Sequence, residues 1–101
     1  MRYMTRLVYH CKRGKAPEIV ECLKFINQVY ASQDYTNGKI CVDRMGRMDT
    51  VVYQFEVESL DQFFTWLNGV YANPNPETVR VVERLNANAA EGYREIYEVV
   101  L

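Results

Sequence analysis

The stretch Gly38-Lys39-Ile40-Cys41-Val42-Asp43-Arg44-Met45-Gly46-Arg47-Met48-Asp49-Thr50-Val51-Val52-Tyr53-Gln54-Phe55-Glu56-Val57 decides the fold. It reads as two strands, Gly38–Met45 and Thr50–Val57, joined at Met45-Gly46-Arg47-Met48. With Gly46-Arg47 as a two-residue turn, Gly takes the position that a type II′ turn requires. Met45 then faces Met48, Arg44 faces Asp49, Asp43 faces Thr50, Val42 faces Val51 and Ile40 faces Tyr53. Apolar residues meet apolar ones and Arg44 meets an acid. One face carries Ile40, Val42, Val51, Tyr53 and Phe55; the other carries Cys41, Asp43, Thr50, Val52 and Gln54. A slip of one residue would break every match.

Working outward, an apolar run, Arg2–Lys12, precedes an amphipathic helical stretch, Pro17–Ser32. In the run, Tyr3, Leu7, Tyr9 and Cys11 point one way, and Met4, Arg6, Val8 and His10 the other. In the helix, Ile19, Cys22, Leu23, Ile26, Val29 and Tyr30 form one stripe, and Pro17 suits its first position. After the hairpin, Ser59-Leu60-Asp61-Gln62 carries a capping-box pattern and opens a second helical region, Ser59–Ala90. Asn73-Pro74-Asn75-Pro76 interrupts that region, with Asn75 as the cap of a third helix. Gly92 reads as a helix stop, and a last strand, Tyr93–Leu101, closes the chain. The order is β-α-β-β-α-β, which predicts an α+β, ferredoxin-like sandwich. It has a four-stranded antiparallel sheet with helices on one face, and the second α unit is split in two.

Composition sets bounds. The 101 residues predict one domain over 1–101. A net charge of −1 lacks the footprint of a nucleic-acid binder. The basic loop Lys12-Arg13-Gly14-Lys15 lacks the Gly spacing of a phosphate-binding loop and reads as a solvated turn. No apolar stretch is long enough for a membrane span, and no secretory leader is evident, so a cytoplasmic protein is expected. Cys11, Cys22 and Cys41 show no Cys-x-x-Cys spacing and accompany a single His. That speaks against structural zinc and a disulfide framework, and Cys22 falls on the apolar stripe as core.

Helices cover one sheet face. The other would carry Val8, Val52 and either Tyr97 with Val99 or Ile96 with Val100, which is too apolar to leave comfortably in water. The simplest cover is a second copy about a two-fold axis, so a homodimer is expected. The plainer alternative is a monomer with a moderately apolar open face.

The run Gly46–Glu56 followed by Ser59-Leu60-Asp61-Gln62-Phe63, with the closing Tyr93-Arg94-Glu95-Ile96-Tyr97-Glu98-Val99, resembles the dimeric α/β-barrel superfamily. Its small stress-responsive, antibiotic-biosynthesis-monooxygenase-like and NIPSNAP-like members are the most similar. The resemblance spans nearly the whole chain and is architectural; no string in it is a catalytic signature. It implies a dimeric barrel. Such members include cofactor-free oxygenases, haem-degrading enzymes, isomerases and proteins of unknown activity, and fold alone does not choose among them.

His10 is the single histidine and the candidate catalytic base, because its ordinary pKa lies close to working pH. The plainer reading is an exposed His at a strand end beside Lys12 and Arg13. Arg6, Asp43 and Gln54 are the candidate ligand-binding residues on the same face; each serves equally as an edge charge or cross-strand partner. Arg94 and Glu98 are weaker candidates because the last strand's facing is open. Trp66 stands at the edge of its stripe and is a candidate interface residue. A haem wants an axial His, and nothing besides His10 supports one, so no metal and no cofactor are expected. The predicted function is a homodimer binding a small, largely apolar organic molecule in a sheet-lined cavity, as a cofactor-independent monooxygenase or isomerase. The alternative is a non-enzymatic stress-response or accessory dimer with a filled inner face. No nucleic-acid or membrane partner is expected.

Overall fold

The computed structural model describes every residue except Thr36. In chain order it has β1 (Arg2–Cys11), α1 (Ala16–Ala31), β2 (Lys39–Val42), β3 (Thr50–Val57), α2 (Leu60–Ala72), α3 (Pro76–Asn88) and β4 (Ala89–Val99). The strands form one antiparallel sheet in the order β2-β3-β1-β4. This is the ferredoxin-like α+β arrangement expected from the pattern, with the second α unit split. Ser59 caps α2 by accepting from the Gln62 amide, and Asn75 caps α3 by accepting from the Thr78 amide. No helix of the described residues is long and apolar enough to cross a membrane.

Strand alternation sorts the side chains. On β3, Val51, Tyr53, Phe55 and Val57 are buried under the helices. Their partners on β1 are Tyr9, Leu7, Thr5 and Tyr3, which share that face. Above them lie Ile19, Cys22 and Leu23 of α1, Phe63 and Leu67 of α2, and Leu85 of α3. Tyr30 closes this core edge-on against Phe55 at 4.9 Å and against Trp66 at 5.1 Å. Trp66 thus packs against the aromatic core while remaining half-buried. Edge-to-face pairs of this kind add to simple burial.

Two local expectations are corrected. The strand register is as expected, with Val42 opposite Val51 and Ile40 opposite Tyr53. The tight turn is not: β2 ends at Val42, and residues 43–49 form a loop. The cause lies outside the hairpin. The Asp49 carbonyl accepts from the Cys11 amide at 2.7 Å, and its carboxylate accepts from the Gly14 amide at 3.3 Å. These bonds tie the loop to the end of β1, with Asp49 at φ 58°. Arg44 therefore does not pair with Asp49 across a ladder, and Met45 is 96% exposed. Second, Gly92 is not a helix stop. The helix gives way to β4 at Ala89, since pairing of Cys11 with Ala89 and His10 with Glu91 takes over the backbone hydrogen bonds. That pairing slips between His10 and Cys11 without disturbing the expected facing of β1. The extra residue is Ala90 on β4, so β1 keeps its alternation and His10 and Cys11 stay on opposite faces.

Thr5 is fully buried, and its hydroxyl has no hydrogen-bond partner among the described residues. An unmet buried hydroxyl is costly, so Thr5→Val should raise stability by about 1 kcal/mol in denaturant titration. Phe63→Ala, at a fully buried site, should lower it by about 3–5 kcal/mol. Burial pushes the Tyr30 and Tyr53 phenols up from their ordinary value. Unfolded tyrosines ionise near pH ~10, so above it the unfolded chain binds fewer protons than the folded one. Stability should hold below about pH 9 and fall steadily above about pH 10; a flat denaturation midpoint across that range would contradict it.

Candidate functional site

The sheet leaves two places where chemistry can be assembled: the face without helices, and the space between sheet and helices. The first holds most of the residues singled out from the sequence. Met4, Arg6, Val8 and His10 project there from β1, opposite Glu56, Gln54, Val52 and Thr50 of β3 and Tyr97, Glu95, Tyr93 and Glu91 of β4. The register settles the facing of β4 in favour of Tyr97 and Val99.

His10 is held from both sides. The Thr50 hydroxyl donates to the Arg47 carbonyl at 2.8 Å, so its oxygen is left to accept. His10 Nδ1 stands 3.2 Å from that oxygen, placed to donate to it. Nε2 stands 3.7 Å from the Glu91 carboxylate, which also accepts from Arg47 at 3.2 Å. The ring packs against Tyr93 at 5.8 Å. Arg6 donates to Glu95 at 3.0 Å, and the other Glu95 oxygen accepts from the Tyr97 hydroxyl at 2.8 Å. That bond holds the Tyr97 phenol protonated above its ordinary range.

Arg6 and Gln54 are direct cross-strand partners, so they and His10 share one face. Asp43 does not extend over it: its carboxylate accepts from the Thr50 amide at 3.0 Å and pins the start of β3. Gln54 borders a cavity of about 350 Å³ at the β2 edge with Met4, Lys39 and Glu56; neither Arg6 nor His10 lines it. Among the described residues no group of three or more His, Cys, Asp or Glu side chains could hold a metal ion.

The second place is a cavity of about 340 Å³ between sheet and helices. Leu7 and Tyr9 are its floor; Val29 and Tyr30 of α1, Leu67 of α2 and Val82 of α3 are among its walls. Its rim includes Tyr71, Thr78, Asn86 and Arg94, and Arg94 is the one charged residue among those lining it. The register of Leu7 with Arg94 puts this guanidinium on the covered face. Its carbon stands 6.0 Å from the Phe64 ring centre, and no carboxylate of the described residues pairs with it within 4.0 Å. Tyr9 and Tyr30 feel both Arg94 and Tyr71, but burial dominates and raises both phenols. At neutral pH they are therefore un-ionised hydroxyls. The arrangement offers an apolar volume, an unpaired cation and neutral phenols. The sequence marked Arg94 only weakly, because nothing local to β4 states which face it takes; its pairing with β1 supplies that. Tyr9 read as core, and nothing in a lone sequence separates a core tyrosine from a cavity floor.

No family model matches the chain, and no curated protein does. Solved structures do. A NIPSNAP family protein from Agrobacterium tumefaciens superposes with a TM-score of 0.78 at 14% identity, over 97% of this chain and 92% of that one. An uncharacterised NIPSNAP-like domain protein from Burkholderia xenovorans gives 0.79 at 12% identity, over 98% and 85%. SnoaB, a cofactor-independent oxygenase from Streptomyces nogalater, gives 0.69 at 11% identity, over 99% and 94%. At such identities the likeness concerns the backbone. The fold of this chain is the one shared by NIPSNAP proteins and antibiotic-biosynthesis-monooxygenase-like proteins.

Proposed function

We propose that this chain is a homodimer that binds a small, largely apolar organic molecule bearing one acidic oxygen. The molecule occupies the cavity between sheet and helices. The carrying observation is the pairing of that apolar volume with Arg94, its single charged lining residue. Ligand sites are typically apolar hollows with a few well-placed polar groups, and a guanidinium is the side chain best matched to a carboxylate, phenolate or enolate oxygen. The neutral Tyr9 and Tyr30 hydroxyls can donate to the same oxygen. Stabilising an oxyanion in a water-poor site is also what a cofactor-independent oxygenase or isomerase needs, since its substrate must itself carry the developing charge. The likeness to SnoaB supports that reaction class.

The dimer reading rests on the open face. Tyr93, Tyr97 and Val99 stand there beside Val8 and Val52. Three of its basic side chains are matched within the chain, Arg2 with Glu56, Arg6 with Glu95 and Arg47 with Glu91, while Lys39, opposite Gln54 at the β2 edge, pairs with no carboxylate of the described residues. A matched charge enters an interface at less cost than a lone one. In this reading His10 sits in the interface, away from the apolar cavity.

Calorimetry with 2-naphthoate as the probe should show binding, and Arg94→Gln should weaken it at least about tenfold while uncharged naphthalene is unaffected. No binding by the unaltered protein, or equal binding by the variant, would overturn the ligand reading. Sedimentation at micromolar concentration should give twice the 11.9 kDa chain mass. Tyr97→Asp, which sets a second acid beside Glu95, should give monomers; an unaltered chain that sediments as a monomer would sink the dimer.

A further inference from the structure

Two hollows meet at one tyrosine. The inner cavity of about 340 Å³ and an open groove of about 410 Å³ along the β4 edge share Leu7, Tyr9, Asn86 and Arg94. Across the sheet from Tyr9 is Gly92. A Cβ on Gly92 would lie 2.9 Å from one carbon of the Tyr9 ring, closer than such atoms approach, and a tight 3.1 Å from a second. One edge of the ring therefore packs against a residue that has to lack a side chain. Its other sheet neighbour, Val51, is fully buried and leaves no room on that side.

We infer that Gly92 and Tyr9 together set the length of ligand this protein accepts. Because the ring rests against Gly92, it stays out of the space where the inner cavity and the groove share Arg94 and Asn86. The ligand class is then an elongated aromatic acid, at least two fused rings long. Its apolar body lies over Tyr9, and its acidic oxygen is met by Arg94 where the hollows join. A side chain at position 92 lifts the ring off the sheet into the cavity, since Val51 blocks the lateral path. This rests on the ligand reading above. Gly92 acts here on ligand size through the place it leaves for the Tyr9 ring, separately from any hydrogen bond that the Tyr9 hydroxyl gives the acidic oxygen.

The test is a ratio of affinities, that for 2-naphthoate over that for benzoate, measured by calorimetry on the intact chain. The unaltered protein should prefer 2-naphthoate. Gly92→Ala should lower the ratio at least about tenfold, mainly through loss of 2-naphthoate. In a Tyr9→Leu background the same Gly92→Ala change should alter the ratio less than about twofold, because the clashing ring is gone. A folded Gly92→Ala protein with an unchanged ratio would overturn the inference, as would an equal loss in both backgrounds. Should Gly92→Ala alone fail to fold, Tyr9→Leu is compared with Tyr9→Leu/Gly92→Ala. Equal stability and equal ratio in that pair identify the ring contact as the source; failure of both Gly92 variants to fold overturns it. If the unaltered protein binds no 2-naphthoate, the ligand reading falls and takes this one with it. If only the Gly92 comparison fails, the ligand reading stands.

Discussion

Strand β1 sits between β3 and β4 and must satisfy both of its faces at once. Everything else follows from that constraint. Successive side chains leave a strand in opposite directions. Thus Tyr3, Thr5, Leu7 and Tyr9 are committed to the helices, and Met4, Arg6, Val8 and His10 to the open face. The bulge between β1 and β4 places its extra residue on β4, so the alternation of β1 is never interrupted. Had it fallen on β1, His10 and Cys11 would have come to share a face. Register therefore decides which chemistry each face can hold.

The two faces handle polarity differently. On the open face, most charges are matched in pairs along the sheet, with Lys39 at the β2 edge the exception, and aliphatic and aromatic side chains lie between them. On the covered face, burial keeps the tyrosines neutral and Arg94 is left without a carboxylate at the mouth of an apolar hollow. A cation without a partner beside low-polarity walls is set to meet an anion from outside, and that contrast is why the proposed ligand is placed under the helices. The proposed dimer uses the opposite face for the complementary reason: matched charges resist burial less.

Long-range order was largely legible in the residues. The Val42–Val51 and Ile40–Tyr53 pairs follow from apolar matching alone, and Ser59 and Asn75 cap their helices as their residue types require. The turn between β2 and β3 was not, because Asp49 is held by Cys11 and Gly14, residues remote in sequence. Gly92 misled for a similar reason. Glycine ends helices when backbone freedom is wanted, but here it is needed for the ring of Tyr9. Of the candidate residues, Arg6 and His10 share a face by strand period, and Gln54 joins them through the register of β1 with β3. Asp43 belongs to the loop, where it serves the Thr50 amide.

The sequence by itself determined the order of elements, the split of the second α unit and the two-faced character of every strand. Those properties are local: periodicity, caps and proline breaks act over a few residues. The tertiary structure alone decided the facing of β4, the path of the 43–49 loop and the existence of a cavity over Tyr9. Each depends on what stands opposite, across a register or under a helix, and no neighbour in sequence carries that information. Arg94 shows the difference most plainly: its charge is written in the chain, but the face it takes comes from Leu7, its partner across the sheet.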